Sequence, residues 1–553
     1  MPPFFVLKWV GNMTSDKTEE IIHYHEATKH HFERYARSLG YMDWGNQPNP
    51  FRIYRDTPVL KLPLLKTDPP ASYQGLYERQ DHRPQPFVTE TIAGFLELSL
   101  GLSAWKASGS SRWSLRINPS SGNLHPTEAH LILPPLDAHP SGIYHYIALR
   151  HALERRADLA PDLWQGIVSH FGSDGFLIAV TSILWRESWK YGERAFRYCN
   201  HDVGHALTCL SFAANLFGWK CVFLNELSDE ELEAILGFDQ VRFRKLEEEH
   251  SDCLCFIFPS GAADIPRGLP ADIISDLANL TFNGEAEILS QKCVDWKIIY
   301  DTARLAKKPS TRKARITLEH RNWFTDVSSP LSATDIIRNR RSAIAFDDSG
   351  FISKSHFLSI LDKTLPRREM VPFDIELSEA LTHLLLFVHN VPDLAPGLYF
   401  FLRENADMDE LKAICRPDFQ WAPVEKDFPL YLLAEGNYRQ QAMMVSCHQD
   451  IAGSSAFSLG MIVKFKEIIT SEPHRYRHLF WETGMIGQVL YLEAEAHGVR
   501  GTGIGCYFDD AVHEILGFGD NRYQSLYHFT IGHPIEDPRL ATYPPYNHLK
   551  NSF

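Results

Sequence analysis

The chain has no tract of basic residues, no Cys-x-x-Cys pair and no hydrophobic run approaching the roughly 18 residues that would span a membrane. Each absence removes a class of function. With a net charge of −14 and its Lys and Arg scattered, the chain lacks the positive face of a nucleic-acid binder. A small-molecule partner is expected instead. The nine cysteines are odd in number and dispersed, with Cys253 and Cys255 on one face of an expected strand. They read as core thiols in a reducing compartment rather than a disulfide framework. The opening MPPFFVLKWVGNM has too short an apolar stretch, and the wrong flanks, for a signal peptide, so the expected location is cytoplasmic. No Gly-x-Gly-x-x-Gly followed by a suitably placed acid occurs, and no dedicated dinucleotide domain is expected. His23, His25, His30 and His31 have no cysteine or carboxylate set at ligand spacing, so no metal is assigned to them.

What is present is 553 residues of ordinary globular composition, 44% hydrophobic and 22% charged. That is too long for one core and suits two large domains. The chain repeats itself. Residues 196–238 align without a gap on residues 476–518. Arg197 falls on Arg477, Gly204 on Gly484, Leu210 on Leu490, Ala214 on Ala494, Gly218 on Gly498 and Asp229 on Asp509, and the Ile-Leu-Gly-Phe at 235–238 falls on that at 515–518. Each copy predicts a mostly apolar, buried helix closed by glycine, a connection, and a short helix that begins acidic and ends at Leu-Gly-Phe. A repeat of this length means duplicated domains rather than a solenoid. Weaker echoes agree: GIYHY at Gly142 resembles GLYFF at Gly397, and each follows an apolar strand-like run from Ala129 or Thr382. The boundaries that follow are an N-terminal docking segment (1–59), a first domain (60–258), a linker rich in Pro, Gly and charge with some helix of its own (259–330), a second domain (331–540) and a tail (541–553).

The copies differ where chemistry is expected. Only the first has Pro119, Ser120, Ser121, Gly122 and Asn123, a tight turn with small hydroxyls and free backbone N–H groups at an expected helix start. The same residues also make an ordinary helix cap. Only the second has Arg340, Arg341 and Ser342 at the end of a short predicted helix. Two guanidiniums beside a hydroxyl suit a phosphate, and equally describe a solvated charged face. Only the second has Gly501, Thr502, Gly503, Ile504 and Gly505, where glycines would let the backbone approach a flat ligand and form a nest of inward N–H groups.

Together these segments resemble the nitroreductase superfamily, and within it the SagB/ThcOx-type dehydrogenases, whose members include oxidases of peptide azoline rings. The resemblance implies an α+β fold of two FMN-dependent domains, each an antiparallel-rich sheet flanked by helices, packed as an intrachain pseudo-dimer. It implies that Arg340, Arg341 and Ser342 hold the FMN phosphate, while the proline-serine turn (119–123) and the late glycine segment (501–505) flank the flavin. Because each half carries only part of this set, one composite site and one FMN per chain are expected, and no partner subunit is needed. SWKYGERAFRY resembles the lysine-tyrosine stretch of these enzymes, which gives Lys190 and Tyr191 the proton-transfer side of catalysis. Three readings stay open: a dehydrogenase using that pair, an NAD(P)H-dependent nitro or quinone reductase in which the pair is incidental, and a flavin-binding pseudoenzyme.

Overall fold

The computed structural model describes residues 17–78, 83–137, 139–312, 318, 321, 324 and 329–549. Two seven-stranded sheets dominate it. The first contains β1 (Val59–Lys61), β2 (Thr127–Leu133), β3 (Gly142–Ile147), β4 (Ala152–Asp158), β5 (Phe176–Ser182), β6 (Trp219–Phe223) and β7 (His250–Pro259), in the order β1-β4-β3-β2-β5-β7-β6. The second contains β8 (Thr382–Val388), β9 (Gly397–Phe401), β10 (Ala422–Glu425), β11 (Phe428–Glu435), β12 (Phe457–Lys464), β13 (Arg500–Ile504) and β14 (Tyr523–Gly532), in the order β10-β11-β9-β8-β12-β14-β13. Pairings within both sheets are antiparallel. Apart from the first edge strand, the two orders match element for element. The central strands β2, β5 and β8 are buried along their whole length. Both faces of each are therefore covered, including the polar Glu128 and His130 of β2 and His383 of β8.

One long helix belongs to each half, Ala195–Leu216 and Arg475–Ala496. Both are buried on nearly every face, and both are followed by a glycine at φ +71, Gly218 and Gly498, where the left-handed backbone stops the helix. The short helices Asp229–Ile235 and Asp509–Leu516 follow, again closed by left-handed Gly237 and Gly517. The two long helices pack against each other where their aligned glycines meet. A Cβ on Gly204 would lie 2.1 Å from the Trp481 carbonyl oxygen, and one on Gly484 would lie 2.2 Å from that of His201. The aligned charges are reciprocal too: Arg197 pairs with Asp509 at 2.7 Å, and Arg477 with Asp229 at 2.6 Å. Phe196 stacks on its counterpart Tyr476 at 6.4 Å. Contacts of this i-to-j and j-to-i kind are those a two-fold axis generates.

The segments outside the sheets are tied down. His25 sits between the Tyr476 hydroxyl and Gln524, and Lys29 meets Asp510 at 2.8 Å, so the N-terminal segment docks on the second half. Within the expected linker, helices Ala271–Ala278 and Lys297–Leu305 form, and Glu285–Ala286 pairs with Tyr54–Arg55. The expected tail adds strand Ala541–Tyr543 to the hairpin Leu102–Ser108 and Ser111–Arg116 of the first half, and the Leu102 N–H donates to the Tyr546 hydroxyl at 2.9 Å. Among the described residues no helix is long and apolar enough to cross a membrane.

Candidate functional site

A cavity of about 460 Å³ lies where the two halves meet. Its first wall is the turn predicted around the serines. Pro119, Ser120, Ser121, Gly122 and Asn123 all line it. The structure corrects the expected setting: the segment is a single 3-10 turn (Ser121–Asn123) leading into strand β2, not the start of a helix. Gly122, Asn123 and His125 all have φ near +50 to +60, which turns the chain too sharply for a helix to follow. The Ser121 N–H is not free either, since it donates to Asp202 at 3.1 Å. The Ser120 hydroxyl donates to Glu187 at 3.3 Å and accepts from the His125 N–H at 2.7 Å.

The second wall comes from the other half. Arg340, Arg341 and Ser342 line the cavity directly after helix Ala333–Asn339, with Arg340 as its C-terminal cap. Arg340 is buried, lies over the Tyr491 ring at 5.1 Å, and donates to the carbonyls of Arg116 and Ile117 in the first half. The Arg341 guanidinium donates to the carbonyls of Arg338, Arg340 and Ser103. Ser342 shares a hydrogen bond of 2.9 Å with the Tyr491 hydroxyl. Arg116, Arg500 and Lys106 line the same cavity. Burial pulls Arg116 down to about 10 and lowers Arg340; burial and the neighbouring Arg340 pull Arg341 down to about 10. The Nε atoms of Arg116 and Arg340 are buried with no hydrogen-bond partner. Crowded, under-neutralised guanidiniums with spare donors form a corner suited to a polyvalent anion.

The glycine segment differs from expectation in form. Residues 500–504 are edge strand β13, not a loop or nest. A Cβ at Gly501, Gly503 or Gly505 would lie 2.5, 2.0 or 2.4 Å from the rings or hydroxyls of Phe529, Tyr527 and Tyr198, respectively. The glycines recur every second residue on one strand face because aromatic rings of this same chain occupy that side. Gly503, Ile504 and Gly505 line the cavity, whereas Gly501 and Thr502 lie behind it. Gly501 is bridged to Ser342, and the Thr502 hydroxyl donates to the Ala343 carbonyl at 2.7 Å, so these two brace the arginine segment. The Gly503 N–H donates to the Tyr491 hydroxyl at 2.9 Å.

Tyr191 lines the cavity at the end of helix Leu184–Tyr191; Lys190 is not part of the lining. Both reach the turn. A Cβ on Gly122 would lie 2.6 Å from the Tyr191 hydroxyl and 3.0 Å from the Lys190 ammonium. Burial raises Tyr191 well above the ordinary phenol range. Beneath the turn sit two buried carboxyls that the sequence reading missed, Glu187 and Asp202. Burial, then Asp202, raises Glu187 well above its usual range, and burial pushes Asp202 up to about 7. One oxygen of each has no hydrogen-bond partner. Tyr198, His205, Tyr491 and Tyr527 also line the cavity, as do the carboxylates Glu536, which pairs with Arg500, and Asp537; of the four ring residues only Tyr198 lay in a segment singled out from the sequence for its chemistry.

The ungapped alignment of the two copies also locates the counterpart of this cavity. Lys220 and Val222, which align with Arg500 and Thr502, line a second hollow with Arg267, Asp264, Glu369, Asp374 and Glu376. There Asp374 hydrogen-bonds Ser211, the residue aligned with Tyr491. Here Lys220 pairs with Asp374, Arg267 with Glu376 and Arg368 with Glu369, and among the described residues no serine turn faces its arginines.

Residues 337–533 match the nitroreductase family. No curated protein matches the chain. A provisionally named nitroreductase from Anabaena variabilis shares 22% identity with a TM-score of 0.66, over 93% of this chain and 99% of that one. The fold of the whole chain is therefore that of a protein of similar extent. Two partial likenesses are the E. coli microcin synthetase McbBCD complex with truncated pro-MccB17 bound (19% identity, TM-score 0.26, 38% of this chain and 80% of that chain) and the NADPH:FMN oxidoreductase of Vibrio harveyi complexed with NAD+ (17%, TM-score 0.22, 37% and 69%).

Proposed function

We propose that the chain is an FMN-dependent oxidoreductase of the SagB/ThcOx dehydrogenase type, arisen by duplication of one domain, whose halves pack as a pseudo-dimer around a single composite flavin site. The observation that carries this reading is the meeting of two complementary parts in one cavity, the serine turn of the first half and the arginine pair of the second. The donor set fits FMN. Arg340, Arg341 and Ser342, with Arg500 and Lys106 nearby, hold the phosphate, whose charge relieves the crowded guanidiniums and meets the spare Nε donors. The turn and strand β13 flank the ring. The reciprocal helix and ion-pair contacts support duplication, because they join aligned residues.

FMN, when bound, supplies the hydride-accepting ring. The chain does the rest. The walls from both halves exclude water, and Tyr191 stands where a phenol can pass a proton between substrate and the Glu187 and Asp202 carboxyls behind the turn. Lys190, lying over the Tyr191 ring at 5.0 Å, orients that phenol. A small-molecule or peptide substrate enters above the turn, and NAD(P)H is a candidate donor stacking there in turn with the acceptor.

The first test is the absorption spectrum of the purified chain and its bleaching by NADH or NADPH. Colourless protein that takes up no added FMN would overturn the reading, and yellow protein that no donor bleaches would make it a pseudoenzyme. Because Lys190 stands outside the cavity lining, a nitro or quinone reductase remains the second reading. Lys190→Ala separates the two: loss of azoline oxidation is expected, whereas near-intact nitroaromatic turnover with NADPH favours the reductase.

A further inference from the structure

Behind Gly505 the cavity wall carries a pair of thiols to which the flavin reading gives no task. Cys506 lines the cavity, and Cys447 lies just beyond helix Arg439–Val445. Both are free and half-buried, whereas six of the other seven cysteines are buried. Their backbones are clamped together from both sides: the Phe508 N–H donates to the Val445 carbonyl at 2.8 Å, and the Gln449 amide donates to the Cys506 carbonyl at 3.0 Å. Cys447 and His448 have φ of +54 and +57, a left-handed pair that abruptly ends the helix. The two thiols lie close enough to influence one another electrostatically.

The groups around them differ for the two sulfurs. His30, whose Nδ1 accepts from the Ala36 N–H at 2.9 Å, lies beside the Cys506 thiol. The Arg194 guanidinium, paired with Asp509, donates to the carbonyl of the preceding residue, Gly505. Tyr35 meets Cys447, and Tyr198 packs close to Gly505. Cys447, then His30 and Arg194, hold Cys506 well below the ordinary thiol range, while Cys447 is raised. Cys506 lines the cavity and Cys447 stands behind it, the placement an attacking and a resolving thiol need. His30 belongs to the histidine-rich N-terminal segment for which spacing gave no metal role, and here it stands beside a thiol.

We propose that Cys506 and Cys447 are a redox-active thiol pair that reduces low-molecular-mass disulfides, with Cys506 attacking and Cys447 resolving. The Cys506 thiolate displaces one thiolate from the substrate disulfide and forms a mixed disulfide. Cys447 gives up its proton and attacks the Cys506 sulfur, which releases the second substrate thiolate. The protein dithiol loses two electrons and two protons and becomes one Cys447–Cys506 disulfide; the substrate becomes two thiols. The new bond ties segment 445–449 to 505–508 and so fixes two pieces of the cavity wall, Gln449 and Cys506.

The test uses the full chain without added flavin, so its outcome is independent of the flavin assignment. After equilibration with glutathione disulfide, the intact mass should fall by two hydrogens and a peptide map should show Cys447 joined to Cys506. Cys447→Ser should instead trap one glutathione on Cys506, and Cys506→Ser should give neither product. At pH 6, iodoacetamide should label Cys506 about tenfold or more faster than Cys447. A parent chain that stays fully reduced, a Cys447→Ser variant that takes up no glutathione, or equal labelling of the two thiols would overturn the proposal.

Discussion

The glycine crossing of the two long helices offers a perturbation whose size follows from the structure. In Gly204→Ala the new methyl would lie 2.1 Å from the Trp481 carbonyl oxygen and 2.9 Å from the Gly484 Cα; in Gly484→Ala it would lie 2.2 Å from the His201 oxygen and 3.0 Å from the Gly204 Cα. Non-bonded carbon atoms sit at about 3.5–4.0 Å, and the obstructing atoms are backbone that cannot swing aside. The helices must therefore part by about 1 Å. Overpacking of this kind costs about 1–3 kcal/mol, with the upper end expected for backbone obstruction, and the better helix propensity of alanine returns about 1 kcal/mol. Each single variant should lose about 2 kcal/mol. The two methyls face the same gap, so helices already parted by the first accommodate the second. The double variant should cost about 2–3 kcal/mol rather than the sum, a coupling within the range of about 0.5–3 kcal/mol seen for touching residues. Urea unfolding followed by tryptophan fluorescence measures this, since Trp481 stands at the crossing. Strict additivity, or singles within about 0.5 kcal/mol of the parent, would refute the packing argument.

Two further outcomes are expected. Asp202 ionises at about 7 in the folded chain against 3.8 when unperturbed, because of burial. Between those pH values the folded state keeps a proton that the unfolded state has lost, so this group costs stability as pH rises through that window. Asp202→Asn removes the cost while its amide oxygen can still accept from Ser121, and its urea midpoint relative to the parent should be higher at pH 8 than at pH 4; equal differences would contradict the assignment. Arg341→Gln should weaken FMN binding by about tenfold or more, the worth of a charge-assisted hydrogen bond of about 1.5–3 kcal/mol, while leaving riboflavin, which has no phosphate, unaffected. An equal loss for both flavins would remove the phosphate role from Arg341.

Several residues aligned between the two halves of the sequence are ones that join the halves in the structure. Arg197 and Arg477, Asp229 and Asp509, and Gly204 and Gly484 make reciprocal contacts, and Gly218 and Gly498 end the helices. The serine turn and arginine pair stood out as compact local patterns. Glu187 and Asp202 did not, because a single acid within a helix carries no spacing. Its one signal is chemical: a carboxyl in a helix that is apolar on most faces has to be buried and answered by a partner. The form of the glycine segment was missed for the opposite reason. Glycine suggested a loop, whereas Gly501, Gly503 and Gly505 recur with the period of a strand, and the aromatic rings that require them come from Tyr198, Tyr527 and Phe529, distant in sequence. Helix inside the linker was expected and forms at Ala271–Ala278 and Lys297–Leu305, whereas the strand at 541–543 was hidden because it is held by a partner strand in the first half.

The amount of flavin released per polypeptide tests the composite site most directly. Denatured, FMN-saturated protein should yield one FMN per chain, because one cavity joins a serine turn to an arginine pair, whereas in its counterpart the cations Lys220, Arg267 and Arg368 are each taken up by an acid. A ratio near two would contradict the account.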